Sequence, residues 1–361
     1  MQGGPGAAST FGFFIENGGI ELVNKTYLKP REHAWTNEFH MLFVDSPIGT
    51  GYSFADSDSE CLSHDEHSVS ANLYEALKQF FTLFSEYKNN PFFLTGESYA
   101  GKYVPALGYR IHQDLSNSRK YFNFTGLAIG NAFVDPINQI DYADYLHIGS
   151  LLDAKEAHRV RKTTDKIKKL IHHERYEEAV ELFIPLVFNS DKHSMLYNYT
   201  GSTFHYNVLV DSDPQAIIDY SLYMQDDEVR RAFHVYPVNF KEGDKVGQGM
   251  KKDLLKTIKK KFIVLAENYP TLLYNGQLDI ICPPIFTEKF LLKFDWVYSS
   301  EFYKAKRTIW RLPDEPLKVA GFEKRVEKFR FTVIKRAGHM VPLDQPKVAL
   351  ELIKNFVSES I

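Results

Sequence analysis

Apolar residues fall along this chain in blocks of two kinds. Continuous apolar runs bounded by polar or turn residues predict buried strands. They are Phe39 to Pro47 (with Met41-Leu42-Phe43-Val44 at its centre), Pro91 to Leu94, Phe124 to Val134, Pro270 to Tyr274 and Phe331 to Lys335. Other segments repeat apolar positions on one helical face. From Val69 to Tyr87 these are Leu73, Ala76, Leu77, Phe80, Phe81 and Phe84. Near the end they are Ala349, Leu352, Ile353, Phe356 and Val357, and Tyr103 to Asp114 has the same spacing. Up to Val134 strands and helices alternate, as a mostly parallel sheet requires. Residues 137 to about 235 then read as helices and loops. Lys162 to Lys169 there is expected to be a solvated helix face, Tyr176 to Leu186 an amphipathic helix, and Asp227 to Val235 a short closing helix. The expected organisation is a first part of the core at 1–136, a helical cap insertion at 137–235 and a second part of the core at 236–361.

The stretch between the run at Pro91 and the helix from Tyr103 is Thr95-Gly96-Glu97-Ser98-Tyr99-Ala100-Gly101. Strand, Gly-x-Ser-x-Gly and helix in that order are the context of a nucleophile elbow, a strained turn that holds a serine hydroxyl at the end of a sheet. The five-residue pattern alone also fits a glycine-rich turn of any α/β protein. The chain holds 13 histidines, so a single one carries no argument. Their order does. Ser98, Asp279 and His339 each follow a predicted strand, and Ser, Asp, His is the α/β-hydrolase order.

Several segments together resemble the serine carboxypeptidases, nearest to their vitellogenic-like branch. They are Gly3-Gly4-Pro5-Gly6, Gly96 to Gly101, Gly276 to Asp279, Gly338-His339-Met340-Val341-Pro342, and Asp45 to Ser53. The resemblance spans nearly the whole chain. It implies an α/β fold, an α/β-hydrolase sheet with a helical cap insertion, and removal of C-terminal residues from peptides. It further implies that Ser98 is the nucleophile, His339 the base and then the acid, and Asp279 the group that orients His339. The amides of Gly4 and Tyr99 would form the oxyanion hole. Gln2, Gly3, Glu16 and Glu97 would bind the free α-carboxylate of the substrate. Two glutamates can bind a third anion only if a proton is shared, so an acidic preference is expected.

Composition narrows the field further. With 361 residues, 44% of them hydrophobic, the chain can bury a sizeable core. A net charge of −3 gives no reason to expect nucleic acid or an anionic membrane as a partner. No apolar run reaches the roughly 18 residues of a transmembrane helix. No cofactor or metal is expected, since Cys61 and Cys282, the only cysteines, have no metal-ligand spacing. They could pair across the fold, but two free thiols are the expectation. Sequons at Asn24, Asn123 and Asn198 would matter only in a secreted chain. The resemblance implies a secreted, lysosomal or vacuolar location, and no charged-then-apolar signal pattern is read in these residues.

Departures from the family pattern raise two other expectations. Gln2 stands where the family usually has Asn, Ala7-Ala8-Ser9 replaces its usual Ser pair, and no cysteine falls between 62 and 281 to staple the cap. Only Met1 and Gln2 precede the glycine loop, so the N-terminal strands of the fold are expected to be missing. That leaves unpaired edges, and a loop free to fray on its upstream side. The alternatives to a carboxypeptidase are therefore a truncated, catalytically impaired product, and an esterase or acyltransferase using the same triad.

Overall fold

The computed structural model describes residues 1–55, 63–188 and 194–361. Two short antiparallel strands, β1 (Ile20–Asn24) and β2 (Tyr27–Pro30), form a hairpin at one side. The main sheet has β3 (Pro91–Glu97), β4 (Asn123–Gly130), β5 (Thr271–Gly276), β6 (Thr308–Trp310), β7 (Gly321–Val326) and β8 (Phe329–Ile334). Their order is β3-β4-β5-β8-β7-β6. The first four strands in that order are parallel, and β7 and β6 add an antiparallel edge.

The central strands read as unbroken apolar runs because both faces are covered. Every residue of β5 is buried. On one face, helices Glu66–Leu83, Ala100–Gln113 and Lys259–Asn268 bring Leu73, Leu77, Val104, Leu107, Phe262 and Leu265 into a common core with Leu127 and Leu273. On the other, helix Pro346–Ser358 packs Leu352, Ile353 and Phe356 against Ala128, Leu272, Tyr274 and Ile334. The described part of residues 137–235 is helices and loops. Its longest helix, Ala154–His172, carries the basic run on its exposed side, with Lys168 paired to Asp141.

Two expectations about strands are corrected. Phe39 to Pro47 is not a strand. Leu42 to Asp45 instead lines one wall of a cavity of about 620 Å³, whose other wall includes Phe92, Phe93 and Leu94 of β3. An apolar run becomes a strand only where another backbone lies close enough to pair with it, and here the cavity intervenes. In the last third of the chain, β6 and β7 were not expected. β6 is a three-residue edge strand, and β7 beside it carries the polar residues Glu323, Lys324 and Arg325, so no apolar run marks them. The expected helix stripes, the turn Gly49–Ser53 and the strands ending before Ser98, Asn131, Asp279 and His339 are all present.

The upstream side of the glycine loop is not frayed. Met1 N donates to Thr95 O at 2.9 Å, and Met1 O accepts from Glu97 N at 3.2 Å. These two bonds are a parallel ladder about Gly96. Gln2 N donates to Ser9 Oγ at 3.2 Å, and Ala7 N to Gly3 O at 3.0 Å. Met1 is thus hydrogen-bonded alongside β3 and Gln2 to Ser9, which anchors the loop.

Candidate active site

At the end of β3 the chain turns sharply. Ser98 has φ +61°, a left-handed conformation that costs a non-glycine residue free energy. It is held there by the sheet and by the helix that follows. Ser98 N donates to Gly130 O at 3.0 Å, while its own carbonyl accepts from Gly101 N and Phe133 N. Tyr99 caps the helix Ala100–Gln113, so its amide lies at the helix N-terminus beside the serine. The glycine loop closes over this turn. A Cβ on Gly3 would stand 2.4 Å from Tyr99 N and 2.8 Å from Ser98 Cβ, so no other residue fits.

Asp279 follows β5 and is fully buried. Its oxygens accept from Ile281 N at 2.7 Å, Cys282 N at 3.1 Å, Asn131 Nδ2 at 2.5 Å and His339 Nδ1 at 2.7 Å. With Nδ1 donating to the carboxylate, Nε2 is the nitrogen that can take a proton. Among the described residues Nε2 is buried without a hydrogen-bond partner. Ser98 and His339 line one cavity of about 190 Å³, together with Gln2, Gly3, Gly4 and Glu97. The Ser98 and His339 side chains, the expected nucleophile and base, therefore line a common space with no hydrogen bond between them, an arrangement that is frequent before substrate binds.

Three of the four residues expected to meet a carboxylate, Gln2, Glu16 and Glu97, bring their side chains together, and the fourth, Gly3, lines the same cavity as Gln2 and Glu97. Glu16 lies on a π-helical turn, Gly12–Asn17, and is buried, as is Glu97. Gln2 Nε2 donates to Glu16 Oε1 at 2.5 Å, and the Glu16 and Glu97 carboxyls hydrogen-bond each other. Burial raises the Glu97 pKa well above its usual value, and the neighbouring Glu16 adds to the effect. Burial raises Glu16 too, against its hydrogen bonds to Glu97 and Gln2. The pair holds one proton into a pH range where ordinary glutamates have lost theirs.

Several site residues were not expected from the sequence. Asn131, at the end of β4, donates to Asp279, and its Oδ1 accepts from Gly276 N at 3.3 Å. A polar residue closing a buried strand was its only sequence signal. Tyr206 accepts from His339 N at 2.6 Å and places its ring 5.4 Å from the imidazole. Asp344 accepts from Gly338 N at 2.6 Å and Asn207 Nδ2 at 2.9 Å, fixing the turn that carries His339. Arg31 holds the Glu16 turn through the carbonyls of Phe14 and Gly18. Asp45 accepts from the amides of Thr10 and Tyr52, and Ser9 Oγ donates to Val44 O, tying the 44–52 segment to the residues after the glycine loop. Cys282 is a free, buried thiol, and Cys61 lies outside the described residues. No group of three or more metal-ligating side chains occurs among the described residues. No helix among them is long and apolar enough to cross a membrane.

A family model described as serine carboxypeptidase matches residues 1–359. The chain belongs to the serine carboxypeptidase family. It is 39% identical over 360 residues to the venom serine carboxypeptidase of Apis mellifera, covering 99% of this chain and 76% of that one. It is 37% identical over 361 residues to the probable serine carboxypeptidase CPVL of Homo sapiens, covering 99% and 75%. It is likewise 37% identical over 366 residues to the vitellogenic carboxypeptidase of Aedes aegypti, covering 100% and 76%. Among solved structures, Kex1(Δ)p, a prohormone-processing carboxypeptidase from Saccharomyces cerevisiae, superposes with a TM-score of 0.84 at 23% identity. It covers 99% of this chain and 82% of its own, a likeness that shows the shared α/β-hydrolase fold. As a member of this family the chain is a hydrolase of the peptidase class, with peptides as its class of substrate.

Proposed function

We propose that this serine carboxypeptidase releases single C-terminal residues from peptides through an acyl-enzyme on Ser98, and does so best under acidic conditions. The observation that carries the reading is one cavity lined by members of two groups, Ser98 and His339 of the first and Gln2 and Glu97 of the second, with Asp279 and Glu16 hydrogen-bonded to them from behind. Ser98, His339 and Asp279 supply nucleophile, base and orienter. Gln2, Glu16 and Glu97 supply hydrogen-bond donors for a free carboxylate, one of them a proton shared by the two glutamates, with Glu97 next to Ser98 in sequence. An endopeptidase or esterase needs the first group and has no use for the second.

In this reading the terminal carboxylate of the peptide accepts hydrogen bonds from Gln2 Nε2, the Gly3 amide and the protonated member of the Glu16–Glu97 pair. The scissile carbonyl carbon then lies against Ser98 Oγ. His339 Nε2 takes the serine proton as Oγ bonds to that carbon. The Gly4 and Tyr99 amides donate to the oxyanion, and Asp279 stabilises the imidazolium. Collapse of the tetrahedral species breaks the C–N bond, and His339 returns the proton to the departing amine. Water repeats the sequence on the Ser98 ester and frees the shortened peptide. Residues 137–235 act as a cap that contributes Phe188, Tyr206 and Ile217 to the cavity over Ser98. The activity fits a secreted or lysosomal setting, where acidic or extracellular peptides are met.

The test is direct. Incubation with a fluorophosphonate is expected to label Ser98, and Ser98→Ala is expected to lose both label and amino-acid release while keeping its circular dichroism. Retained release by Ser98→Ala would overturn the assignment.

A further inference from the structure

Behind the elbow, on the side away from the substrate cavity, lies a second buried set of charges that the mechanism does not use. Lys102, one turn after Tyr99, is 1% exposed, and its Nζ donates to Asp253 O at 2.5 Å and stands 3.7 Å from Asp253 Oδ2. The same ammonium lies 4.9 Å from the centre of the Tyr99 ring, and Tyr99 OH donates to Asp253 Oδ2 at 3.2 Å. Glu66, in the first turn of helix Glu66–Leu83, presents its buried carboxyl to Asp253 and the Tyr99 hydroxyl. The stretch that carries Asp253 also touches the other half of the site. A Cβ on Gly6 would meet Gly243 O at 2.8 Å, and one on Gly243 would meet Gly6 O at 2.0 Å, so the two backbones are in contact. Residues 243–253 therefore abut the glycine loop at one end and grip Tyr99 and Lys102 at the other.

We propose that Asp253 and Glu66 are positioning residues for the oxyanion hole. Together with Lys102 they fix the Tyr99 amide relative to the Gly4 amide from behind. The inference rests on the reading of those two amides as oxyanion donors. An oxyanion hole works only if its donors are held to a fraction of an ångström, and such precision comes from a supporting layer of locked side chains. Tyr99 cannot be held by its backbone alone, because it caps a helix directly after a strained turn.

The charge state of this cluster follows from its members. Asp253, Glu66, Lys102, Tyr99 and Tyr103 face one another, and the more exposed Lys256 reaches Asp253 from its own stretch at 3.8 Å. One buried ammonium faces two carboxyls. Neither Glu66 oxygen completes a hydrogen bond of ordinary geometry, and burial raises its pKa well above the usual value. Glu66 is thus the neutral member, set beside the Lys102–Asp253 ion pair. Ionising Glu66 would set two anions against one cation beside the Tyr99 hydroxyl and loosen the support.

The experiment compares Asp253→Asn, Asp253→Ala, Glu66→Gln and Glu66→Ala with the parent chain, each normalised to folded protein by circular dichroism. The substrate is an N-blocked dipeptide with a free C-terminus, and Ser98→Ala is the control. Both Asp253 variants are expected to lower kcat by about 10-fold or more with KM within about twofold. A displaced oxyanion donor weakens the transition state and leaves the ground state alone. Glu66→Gln, which copies the neutral acid, is expected to keep the parental kcat under acidic conditions and to lose less of it towards alkaline pH. Glu66→Ala is expected to fall. Identical behaviour of Glu66→Gln and Glu66→Ala, or Asp253 variants with parental kcat and a lower melting temperature only, would overturn the inference. Activity surviving Ser98→Ala would overturn the oxyanion-hole reading itself and this inference with it.

Discussion

Glu97 immediately precedes Ser98, and its carboxyl hydrogen-bonds that of Glu16 inside the protein. Two buried acids in contact next to a nucleophile are unfavourable when both are ionised and favourable when they share a proton. A site built this way is suited to receiving a third carboxylate. The same preference for protonated carboxyls recurs behind the elbow at Glu66, so one pH range suits both sides of the serine.

The glycine loop gives the first prediction. Gly3→Ala places a Cβ against Tyr99 N, so the loop or the elbow must move. Displacing one oxyanion donor is expected to cost on the order of 10² to 10³ in kcat. Steady-state kinetics on a free-acid dipeptide check this, and an unchanged kcat would show that the loop does not set the oxyanion site.

The second concerns the support of His339. Asp279→Asn is expected to lower kcat by about 10⁴, because an amide in place of the carboxylate favours the wrong imidazole tautomer. Asn131→Ala leaves the carboxylate in place but removes one of its four donors. Its expected loss is smaller, with stability falling by about 1 to 3 kcal/mol in urea unfolding. An Asn131→Ala variant as impaired as Asp279→Asn would contradict this ranking.

A third follows from the cavity over Ser98. Its side walls are Phe11, Phe188, Ile217 and Met340, and the charged or titratable groups that line it are Tyr206 and the proposed catalytic and carboxylate-binding ones. Substrates with Leu or Phe flanking the scissile bond are expected to exceed those with Asp or Lys there by at least about 10-fold in kcat/KM. A panel of blocked dipeptides measures this, and equal rates would exclude the cavity as the side-chain site.

The fourth is a stability profile. Burial raises the pKa of Glu16, Asp45, Glu66, Glu97 and Asp344. A carboxyl whose folded pKa lies above its unfolded value contributes stability that is full below the unfolded value and lost as pH rises through the folded one. His205, lowered by burial from the usual 6.5, works the other way at the acidic end. The buried Met1 amino group, lowered by burial to about 6, acts in the same sense as His205, and five carboxyls against these two give a melting temperature that rises as the solution is made mildly acidic. Glu66→Gln and Glu97→Gln should flatten that slope, and a profile rising towards alkaline pH would contradict the assignment of neutral acids.

The sequence and the structure agree where chemistry follows a buried strand. Ser98, Asp279 and His339 were legible because each sits just beyond an apolar run, and parallel strands bring their carboxyl ends to one edge. Gln2, Glu16 and Glu97 were legible through the family resemblance, and the structure gathers them. Asn131, Tyr206, Asp344, Asp253 and Glu66 were not. Each acts on a partner far away in the chain, and no local spacing records which segments will meet. The run at Met41 to Val44 misled for a related reason. Apolarity predicts burial, whereas a strand also needs a neighbouring backbone, and a cavity occupies that place. The short edge strand β6 and the polar strand β7 failed in the opposite sense, having partners but no apolar run.

The central claim is that a proton shared by Glu16 and Glu97 recognises a free C-terminus. The most direct measurement is kcat/KM against pH for one peptide as the free acid and as its C-terminal amide, on the parent chain and on Glu97→Gln. The parent is expected to favour the free acid strongly under acidic conditions and to lose that preference as the pair gives up its proton. Glu97→Gln should flatten the free-acid profile and change the amide little. Parallel pH profiles for acid and amide on the parent chain, or equal losses on both in Glu97→Gln, would contradict the account.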